Sequence, residues 1–230
     1  MLPIGDERRI KRVPIITSIL LVIMTVIFLW QQRLDHFADS QLILAFGLNP
    51  AHLFGYRTPP PYLSYIPPSA TLLTYAFLHG GWWHLLGNGL FLWVFGPAVE
   101  DATGPVNFSG LFLIAAAVSG ITQSIPLYES QAQLIGASGA ISGLIGAYLI
   151  LFPKAKLVVL IPLFFIGFNS FRCPSVLFIG VWFLIQIGAA LLFSSTAGNV
   201  AILAHIGGFI CGLVVVPFLR RSEIPLFGGK

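Results

Sequence analysis

The sequence predicts an all-α membrane protein with six transmembrane helices, on three observations. Of its 230 residues, 57% are hydrophobic and 9% are charged, whereas a soluble domain averages about 25% charged residues. Six apolar segments approach the roughly 20 residues that a helix needs to cross a bilayer core. The basic residues lie beside these segments, which is the pattern of membrane topology rather than of nucleic-acid binding. We therefore expect the lipid bilayer as a partner and no nucleic acid.

The predicted helices form one membrane domain at residues 13–219, between a segment at 1–12 and a tail at 220–230. In chain order they cover residues 13–30, 82–99, 106–125, 137–152, 176–193 and 200–219.

Two connections between the predicted helices have unusual sequences. The longest, at 31–81, contains "RTPPPYLSYIPPS", in which the prolines preclude a continuous helix. A connection of this length is often functional, and its aromatic residues suggest that it lies partly in the membrane interface. The apolar run at 157–168 ("LVVLIPLFFIGF") is too short to span and contains Pro162, so we interpret it as an interfacial piece between helices four and five.

The distribution of basic residues sets the expected orientation. With six spans, ten of the 12 lysines and arginines fall on one side, and only Arg33 and Arg57 fall on the other. The positive-inside rule then places both termini in the cytoplasm. The expected location is a cell membrane, with the bacterial plasma membrane favoured. Cys173 and Cys211 are too few for a disulfide framework and are predicted to be unpaired.

Few polar side chains remain within the spans, and His84, Asn88, Ser138 and His205 stand out. Each has a structural alternative, since serine lets helices pack closely, histidine occurs at interfaces and asparagine bonds neighbouring helices. Helices two, four and six all enter from the outer side, however, so these four side chains lie at similar depth. Intramembrane polar groups of this kind indicate a functional site.

The fourth helix is predicted to be short and recessed. From Ser138 to the stop at Pro153 it rises about 22 Å, less than the roughly 30 Å of a bilayer core. If its charged end lies at the inner surface, Ser138 begins below the outer surface. Non-helical backbone at that depth requires protein or a water-filled cavity around it, so we expect a wet pocket with the serine at its floor.

Small residues recur at four-residue spacing on the fourth and sixth helices. The two stripes are Gly139, Gly143 and Ala147 on the fourth helix and Ala204, Gly208 and Gly212 on the sixth. Such stripes let two helices approach closely. They would bring the imidazole of His205 within reach of the Ser138 hydroxyl.

A serine beside an imidazole indicates nucleophilic chemistry, because the neutral imidazole can take the serine proton. No acidic residue lies between Glu129 and Glu223, so the sequence predicts a Ser–His dyad rather than a triad. The backbone N–H of Ser138, at a helix N-terminus, and the side chains of His84 and Asn88 are candidate oxyanion donors. No metal and no cofactor are predicted.

Three stretches, taken in order, resemble the rhomboid family of intramembrane serine proteases. They are "LLTYAFLHGGWWHLLGNGLFLWVFGPAVE" (72–100), "GASGAISGLIGAY" (136–148) and "AHIGGFICG" (204–212). The resemblance implies a six-transmembrane-helix rhomboid-like bundle with a short, recessed fourth helix. It also implies a serine endopeptidase that cleaves transmembrane segments of membrane proteins.

The same resemblance implies a role for each polar residue. Ser138 would be the nucleophile, His205 the general base, His84 and Asn88 would help form the oxyanion hole, and His79 would be structural. The supporting glycines would be Gly136, Gly139, Gly143, Gly208 and Gly212.

Two positions depart from the family pattern. Ala70 and Thr71 stand where the family often has a Trp-Arg pair, and Ser142 replaces an aromatic residue that commonly stacks on the histidine.

Other classes of membrane protein make different demands on the sequence. A catalytically silent rhomboid-like protein that binds transmembrane helices would be expected to lack the serine or the histidine. A metalloprotease would need His-Glu-x-x-His, and an aspartyl protease would need paired intramembrane aspartates; this sequence contains neither. His79, His84 and His205 could hold zinc, but no acidic general base is near. A small membrane transporter would predict internal repeats with matched broken helices.

Overall fold

A computed structural model describes residues 2–8, 10–163, 167–193 and 202–228. Two of the basic residues counted above, Arg9 and Lys230, and residues 200–201 at the start of the sixth predicted helix lie outside these ranges.

A helix occurs at each of the six predicted positions, with ends within about four residues of the predicted ones where both are described. These helices are α1 (Ile15–Gln31), α5 (Trp82–Thr103), α6 (Pro105–Ser124), α7 (Ser138–Leu151), α8 (Ser175–Phe193) and α9 (Ile202–Leu219). Shorter helices between α1 and α5 are α2 (His36–Phe46), α3 (Pro50–Leu53) and α4 (Thr71–Thr74).

Within the described residues, two helical segments are long and apolar enough to cross a membrane. They are Pro105–Leu127, which is α6 with a following 3₁₀ turn, and Ile202–Leu219. The segments Ile15–Gln31, Ser138–Leu151 and Ser175–Gly188 are apolar but shorter.

A glycine and a proline make the turn between α5 and α6. Gly104 has a φ of +84°, a left-handed conformation that glycine adopts without steric cost. Pro105 follows at the first position of α6, where its missing N–H would have had no helical partner. The sequence "TGPV" therefore ends one helix and begins the next without an intervening loop.

The start of α1 is fixed to the end of α5 by a buried carboxylate. Glu100 is 4% exposed and accepts hydrogen bonds from the backbone N–H groups of Ile16 (2.9 Å) and Thr17 (2.8 Å). It also accepts a bond from the Thr17 hydroxyl at 2.7 Å. The first N–H groups of a helix have no partner within it and attract negative charge, so this carboxylate caps α1 and ties it to α5.

A three-stranded antiparallel sheet corrects the prediction of an all-α fold. Its strands are β1 (Leu2–Asp6), β2 (Lys156–Leu163) and β3 (Gly167–Pro174), with β2 in the middle. The run at 157–168, predicted as an interfacial piece, forms most of β2 and the start of β3, and its residues 164–166 lie outside the described ranges.

The side chains of β2 alternate in the way that a strand with one covered face requires. Leu157 and Val159 are fully buried, while Val158 and Leu160 are partly exposed. Pro162 lies beyond the four residues that pair with β1, where β2 has only β3 beside it. A proline is tolerated where a strand lacks a second neighbour.

The segments that carry most of the basic residues meet at one end of the helices. The Glu7 N–H donates to the Lys156 carbonyl at 3.2 Å, which extends the pairing of β1 with β2. The Arg221 N–H donates to the Ala102 carbonyl near the end of α5 at 2.9 Å. The segment before α1 is therefore joined to the connection between α7 and α8, which contains β2 and β3, and the segment after α9 is joined to the end of α5.

The long connection at 31–81 is broken into short helices and turns, as its prolines predicted. Part of it is tied to the chain just before α7, because Leu48 and Leu134 exchange backbone hydrogen bonds of 3.0 and 2.9 Å. The Asn49 side chain also donates to the Gln131 carbonyl at 3.1 Å. The connection therefore braces the entry to α7, which is itself buried along most of its length among α5, α6 and α9.

Replacing Glu100 with alanine should destabilise the fold. The change removes three hydrogen bonds to one charged group, and bonds to charged groups contribute roughly 1.5–3 kcal/mol each, so a total loss of at least about 2 kcal/mol is expected. Denaturant unfolding of the purified protein in detergent measures this loss. Glu129→Ala, which removes an exposed carboxylate, is the matched control. Equal unfolding midpoints for the two variants would contradict the capping role.

Candidate active site

The structure brings Ser138 and His205 into hydrogen-bond contact. Ser138 is the first residue of α7, and His205 lies in the first turn of α9, 9% exposed. The Ser138 Oγ lies 2.8 Å from His205 Nε2. A serine and a base at this distance meet the geometric condition for proton transfer between them.

The second ring nitrogen of His205 is bonded to α8. His205 Nδ1 lies 2.9 Å from Gln186 Oε1. An amide oxygen can only accept a hydrogen bond, so Nδ1 carries the proton and Nε2 of the neutral ring is the acceptor. The Ser138 hydroxyl is therefore the donor to Nε2, which is the arrangement a general base requires.

Aromatic contacts to His205 also come from α8. The Trp182 ring centroid lies 6.3 Å from that of His205, and Trp182 and Phe183 both contact Phe209 on α9. The position one turn after Ser138, where the family commonly has an aromatic residue, holds Ser142. Its hydroxyl donates to the Ser138 carbonyl at 2.7 Å and so turns back onto its own helix.

Glycines let α7 and α9 approach until their backbones touch. A Cβ at Gly208 would overlap the Gly139 carbonyl oxygen, and one at Gly212 would overlap the Gly143 carbonyl oxygen. A Cβ at Gly143 would overlap Ala115 of α6. Both predicted stripes thus lie in this contact, and the Gly143 position also depends on a small residue of α6.

Gly136, His84 and Asn88 meet directly before Ser138. Gly136 has a φ of +111°, and a Cβ there would overlap the His84 ring at Nε2 and lie 3.5 Å from Asn88 Nδ2. The position therefore requires glycine both for its backbone conformation and for its close neighbours. The side chains of His84 and Asn88 flank the backbone that leads into α7.

Both side chains on α5 are placed as hydrogen-bond donors. His84 Nδ1 accepts the Gly80 N–H at 3.4 Å, which leaves Nε2 to carry the proton in the neutral ring. Asn88 is 6% exposed, and its Nδ2 is buried with no partner among the described residues. A buried donor without an acceptor costs about 1–3 kcal/mol, so its retention calls for an explanation, of which a catalytic role is one.

A cavity of about 210 Å³ connects these groups. Its lining includes His84 and Asn88 from α5, Ser138 from α7, Trp182 from α8 and His205 from α9. The volume is enough for several water molecules, each of which occupies about 30 Å³ in the liquid. The polar side chains predicted to share a pocket do line one.

His79 lies outside this cavity lining and is 1% exposed. Its ring contacts His84 edge to face with centroids 5.2 Å apart, and its backbone N–H donates to the Gln31 side chain at 3.1 Å. Among the described residues, no group of three histidine, cysteine or acidic side chains converges as a metal site would.

Gln186 and Trp182 were not among the predicted site residues. Gln186 stands in the apolar stretch "VWFLIQIG" of α8, and the rule that intramembrane polar residues are functional suspects would have found it. Trp182 carried no comparable signal, because an aromatic residue in an apolar helix is usual. Its relation to His205 comes only from the packing of α8 on α9.

The fold and the site define a class: a helical protein with apolar helices and a partly buried serine–histidine pair. Comparison with known proteins gives the family, because residues 69–222 match the Rhomboid domain. The chain therefore belongs to the rhomboid family, and it is a helical membrane protein.

Individual relatives match over part of their length. Rhomboid protein 1, mitochondrial, of Saccharomyces cerevisiae is 30% identical over 69% of this chain and 44% of that protein. The putative rhomboid protease YdcA of Bacillus subtilis is 32% identical over a match that covers 64% of this chain and 65% of the length of YdcA. Rhomboid protease GluP of Bacillus subtilis is 35% identical over a match that covers 69% of this chain and 28% of the length of GluP. The chain thus spans less than two thirds of each of these relatives.

Gly208→Ala should destabilise the protein, because the added methyl group would force α9 away from α7. Overpacking of this kind costs about 1–3 kcal/mol, and the separation should also reduce any activity that depends on the serine–histidine contact. Gly110→Ala on α6, where a Cβ would meet nothing within 4 Å, is the control. It should raise stability slightly, since alanine favours a helix over glycine by about 1 kcal/mol.

Unfolding in detergent compares the two alanine variants directly. If Gly208→Ala were as stable as Gly110→Ala, the backbone contact would not limit the spacing of the helices.

Proposed function

We propose that this protein is an intramembrane serine endopeptidase that cleaves transmembrane segments of other membrane proteins. The observation that carries the proposal is the 2.8 Å contact between Ser138 Oγ and His205 Nε2, at a cavity in a helical membrane protein. The family membership supports it, and two of the relatives described above are named as proteases.

The chemistry follows from the protonation state of the histidine. As the Ser138 oxygen attacks the scissile carbonyl carbon, its proton passes to His205 Nε2, and the carbonyl oxygen becomes an anion. His205 then gives that proton to the departing amine as the C–N bond breaks, leaving an ester on Ser138. A water molecule in the cavity, deprotonated by the same nitrogen, hydrolyses the ester and regenerates the serine.

The oxyanion would be stabilised from two directions. The Ser138 N–H, at the start of α7, has no acceptor one turn back in its own helix. His84 Nε2 and Asn88 Nδ2 lie beside Gly136, on the side of the cavity formed by α5. Donors fixed around the developing charge lower the barrier because they need no reorganisation during the reaction.

Gln186 would act as a positioning residue rather than as a catalytic one. Its amide oxygen holds the His205 proton on Nδ1 and so keeps Nε2 free to accept the serine proton. It lacks the charge of a triad aspartate, so it stabilises the imidazolium less. Trp182 would add the ring contact that Ser142 cannot supply.

The membrane arrangement that fits this chemistry has six spans. We propose that α1, α5, α6, α7, α8 and α9 cross the bilayer, with the basic segments before α1 and after α9 in the cytoplasm. A 14-residue α7 rises about 21 Å, so a start at Ser138 would be recessed from the outer surface. A bacterial plasma membrane is the proposed location.

Ser138→Ala and His205→Ala should each abolish cleavage of a transmembrane substrate while leaving the fold intact. The double variant should be no slower than either single variant, because the two side chains act as a unit. The assay is cleavage of a model transmembrane segment by the purified protein, with unfolding midpoints as the control for folding. Cleavage by Ser138→Ala near the wild-type rate would refute the assignment as a serine protease.

His84→Ala and Asn88→Ala should be impaired but measurably active. Removing one oxyanion donor typically costs roughly 10²–10³ in rate, and the lower end is expected because water in the cavity can replace the lost donor. Both variants should still react with a small fluorophosphonate, since Ser138 and His205 remain. Leu86→Ala, on an exposed part of the same helix, is the matched control. Wild-type rates for both variants would remove α5 from the proposed oxyanion site.

Gln186→Leu should lower the turnover number by about 10- to 100-fold, the scale expected for a misoriented catalytic group. Gln186→Glu should be faster than Gln186→Leu, because a carboxylate can still accept the Nδ1–H bond. If Gln186 served only in packing, the turnover number of Gln186→Leu would equal or exceed that of Gln186→Glu. Leu184→Ala, 66% exposed on α8, controls for general effects of changing this helix.

A further inference from the structure

A second and larger cavity lies at the end of α7 opposite Ser138. Its volume is about 700 Å³, within the range of about 300–1,000 Å³ that is usual for ligand sites. Ala98 and Ala102 on one face of α5 and Ala155 after α7 form part of its wall. Small side chains at these positions leave the hollow between the helix ends and the segments that cover them.

The rim of this cavity carries an excess of positive charge. The basic residues that line it are Arg8, Lys11, Arg12, Lys154 and Lys156. The acidic ones are Glu7, Asp101 and Glu223. The formal charge of the lining is therefore two units positive, and its five basic residues come from two separate stretches of the chain, 8–12 and 154–156.

Two of the three acidic groups already have partners, one within the lining and one outside it. Asp101 pairs with Arg12 at 3.7 Å and accepts the Lys11 backbone N–H at 3.1 Å. Glu7 forms an ion pair with Arg172, which is not part of the lining.

Three ammonium groups are left without such a partner. In the part of the chain that the structure describes, the side chains of Lys11, Lys154 and Lys156 have no carboxylate within 4.0 Å. All three residues are exposed, so their charges are available to an anion in the cavity.

Arg8 closes the inner side of the cavity in a fixed orientation. Its guanidinium carbon lies 3.2 Å from the centroid of the Phe152 ring, and its Nε pairs with Asp6 at 3.1 Å. An arginine held in this way by a ring and a carboxylate loses little freedom when it binds an anion. The lysines supply exposed charges, and Arg8 supplies one that a ring and a carboxylate hold in place.

The surroundings of the cavity favour a lipid as the source of the anion. Directly after Lys11 and Arg12 the chain exposes Val13 (78%) and Ile15 (55%), and α6 exposes Val106 (81%) close to the end of α5. In a membrane protein such side chains face acyl chains. A cationic cavity beside lipid-facing residues is where an anionic headgroup is recognised.

We propose that this cavity binds the phosphate group of an anionic phospholipid. Lys11, Lys154 and Lys156 would contact the phosphate oxygens from the rim, and Arg8 would contact them from the inner side. The site is separate from the serine and histidine, since α7 lies between them. Neither the proposed protease activity nor its mechanism is needed for this binding.

Native mass spectrometry of the purified protein in neutral detergent tests the proposal. The probes are dihexanoylphosphatidylglycerol, dihexanoylphosphatidylcholine and inorganic phosphate, each titrated at constant ionic strength. The anionic phosphatidylglycerol should bind more tightly than the zwitterionic phosphatidylcholine. Lys154→Gln/Lys156→Gln should weaken its binding by roughly 10- to 30-fold, as expected for two charges near an anionic headgroup. Lys154→Arg/Lys156→Arg should restore it.

Arg33→Gln/Arg57→Gln is the matched control, because it removes two exposed positive charges from the other end of the molecule. Its affinity should equal that of the wild type. Displacement of phosphatidylglycerol by an equal concentration of inorganic phosphate would overturn the assignment to a lipid and identify free phosphate as the ligand. Equal binding of the two lipids would overturn the proposal. So would a loss of affinity in Arg33→Gln/Arg57→Gln as large as that in Lys154→Gln/Lys156→Gln. Lys11→Gln provides a second test if the lysine double variant has a lowered unfolding midpoint.

Discussion

The geometry of the site depends on one constraint, the direct contact between the backbones of α7 and α9. Gly208 faces the Gly139 carbonyl and leaves no space for a side-chain carbon. Because Ser138 precedes Gly139 and His205 lies one turn before Gly208, this contact also sets the 2.8 Å separation of hydroxyl and imidazole. Between membrane helices the hydrophobic effect contributes little, so close packing of this kind supplies much of the association. The same contact therefore serves stability and the proposed chemistry.

Polar groups in this apolar interior are few, and most have a matched partner. Glu100 satisfies three donors at the start of α1, and His205 uses both ring nitrogens, one for Ser138 and one for Gln186. Among the described residues, Asn88 Nδ2, the ring nitrogens of His79 and the hydroxyls of Ser119 and Ser124 are buried without a partner. Of these four residues, only Asn88, whose Nδ2 lacks an acceptor, lines the cavity that contains Ser138. An oxyanion, which forms only during the reaction, would provide that acceptor. The mismatch is what preorganised stabilisation of a transition state requires.

The sequence was informative where the signal is local. Helix positions follow from apolar runs and, at the end of α7, from Pro153. The predicted site residues His84, Asn88, Ser138 and His205 follow from polar side chains at one depth. The sheet could not be predicted in the same way. The pairing of β1 with β2 joins residues about 150 positions apart, and a continuous apolar run such as β2 has no period that separates a strand from a helix segment.

Ser142, one turn after Ser138, donates its hydroxyl hydrogen bond to the Ser138 carbonyl of its own helix. With no aromatic side chain on α7 to contact the histidine, its ring is held from α8 by Trp182 and Gln186. The orientation of the proposed base is therefore coupled to the packing of α8 on α9. A movement of α8 that broke the Gln186 bond would leave the Nδ1–H of His205 unpaired in apolar surroundings, at a cost of about 1–3 kcal/mol. The bond between Gln186 and His205 thus resists that movement. The same bond stabilises the position of α8 and orients the proposed base.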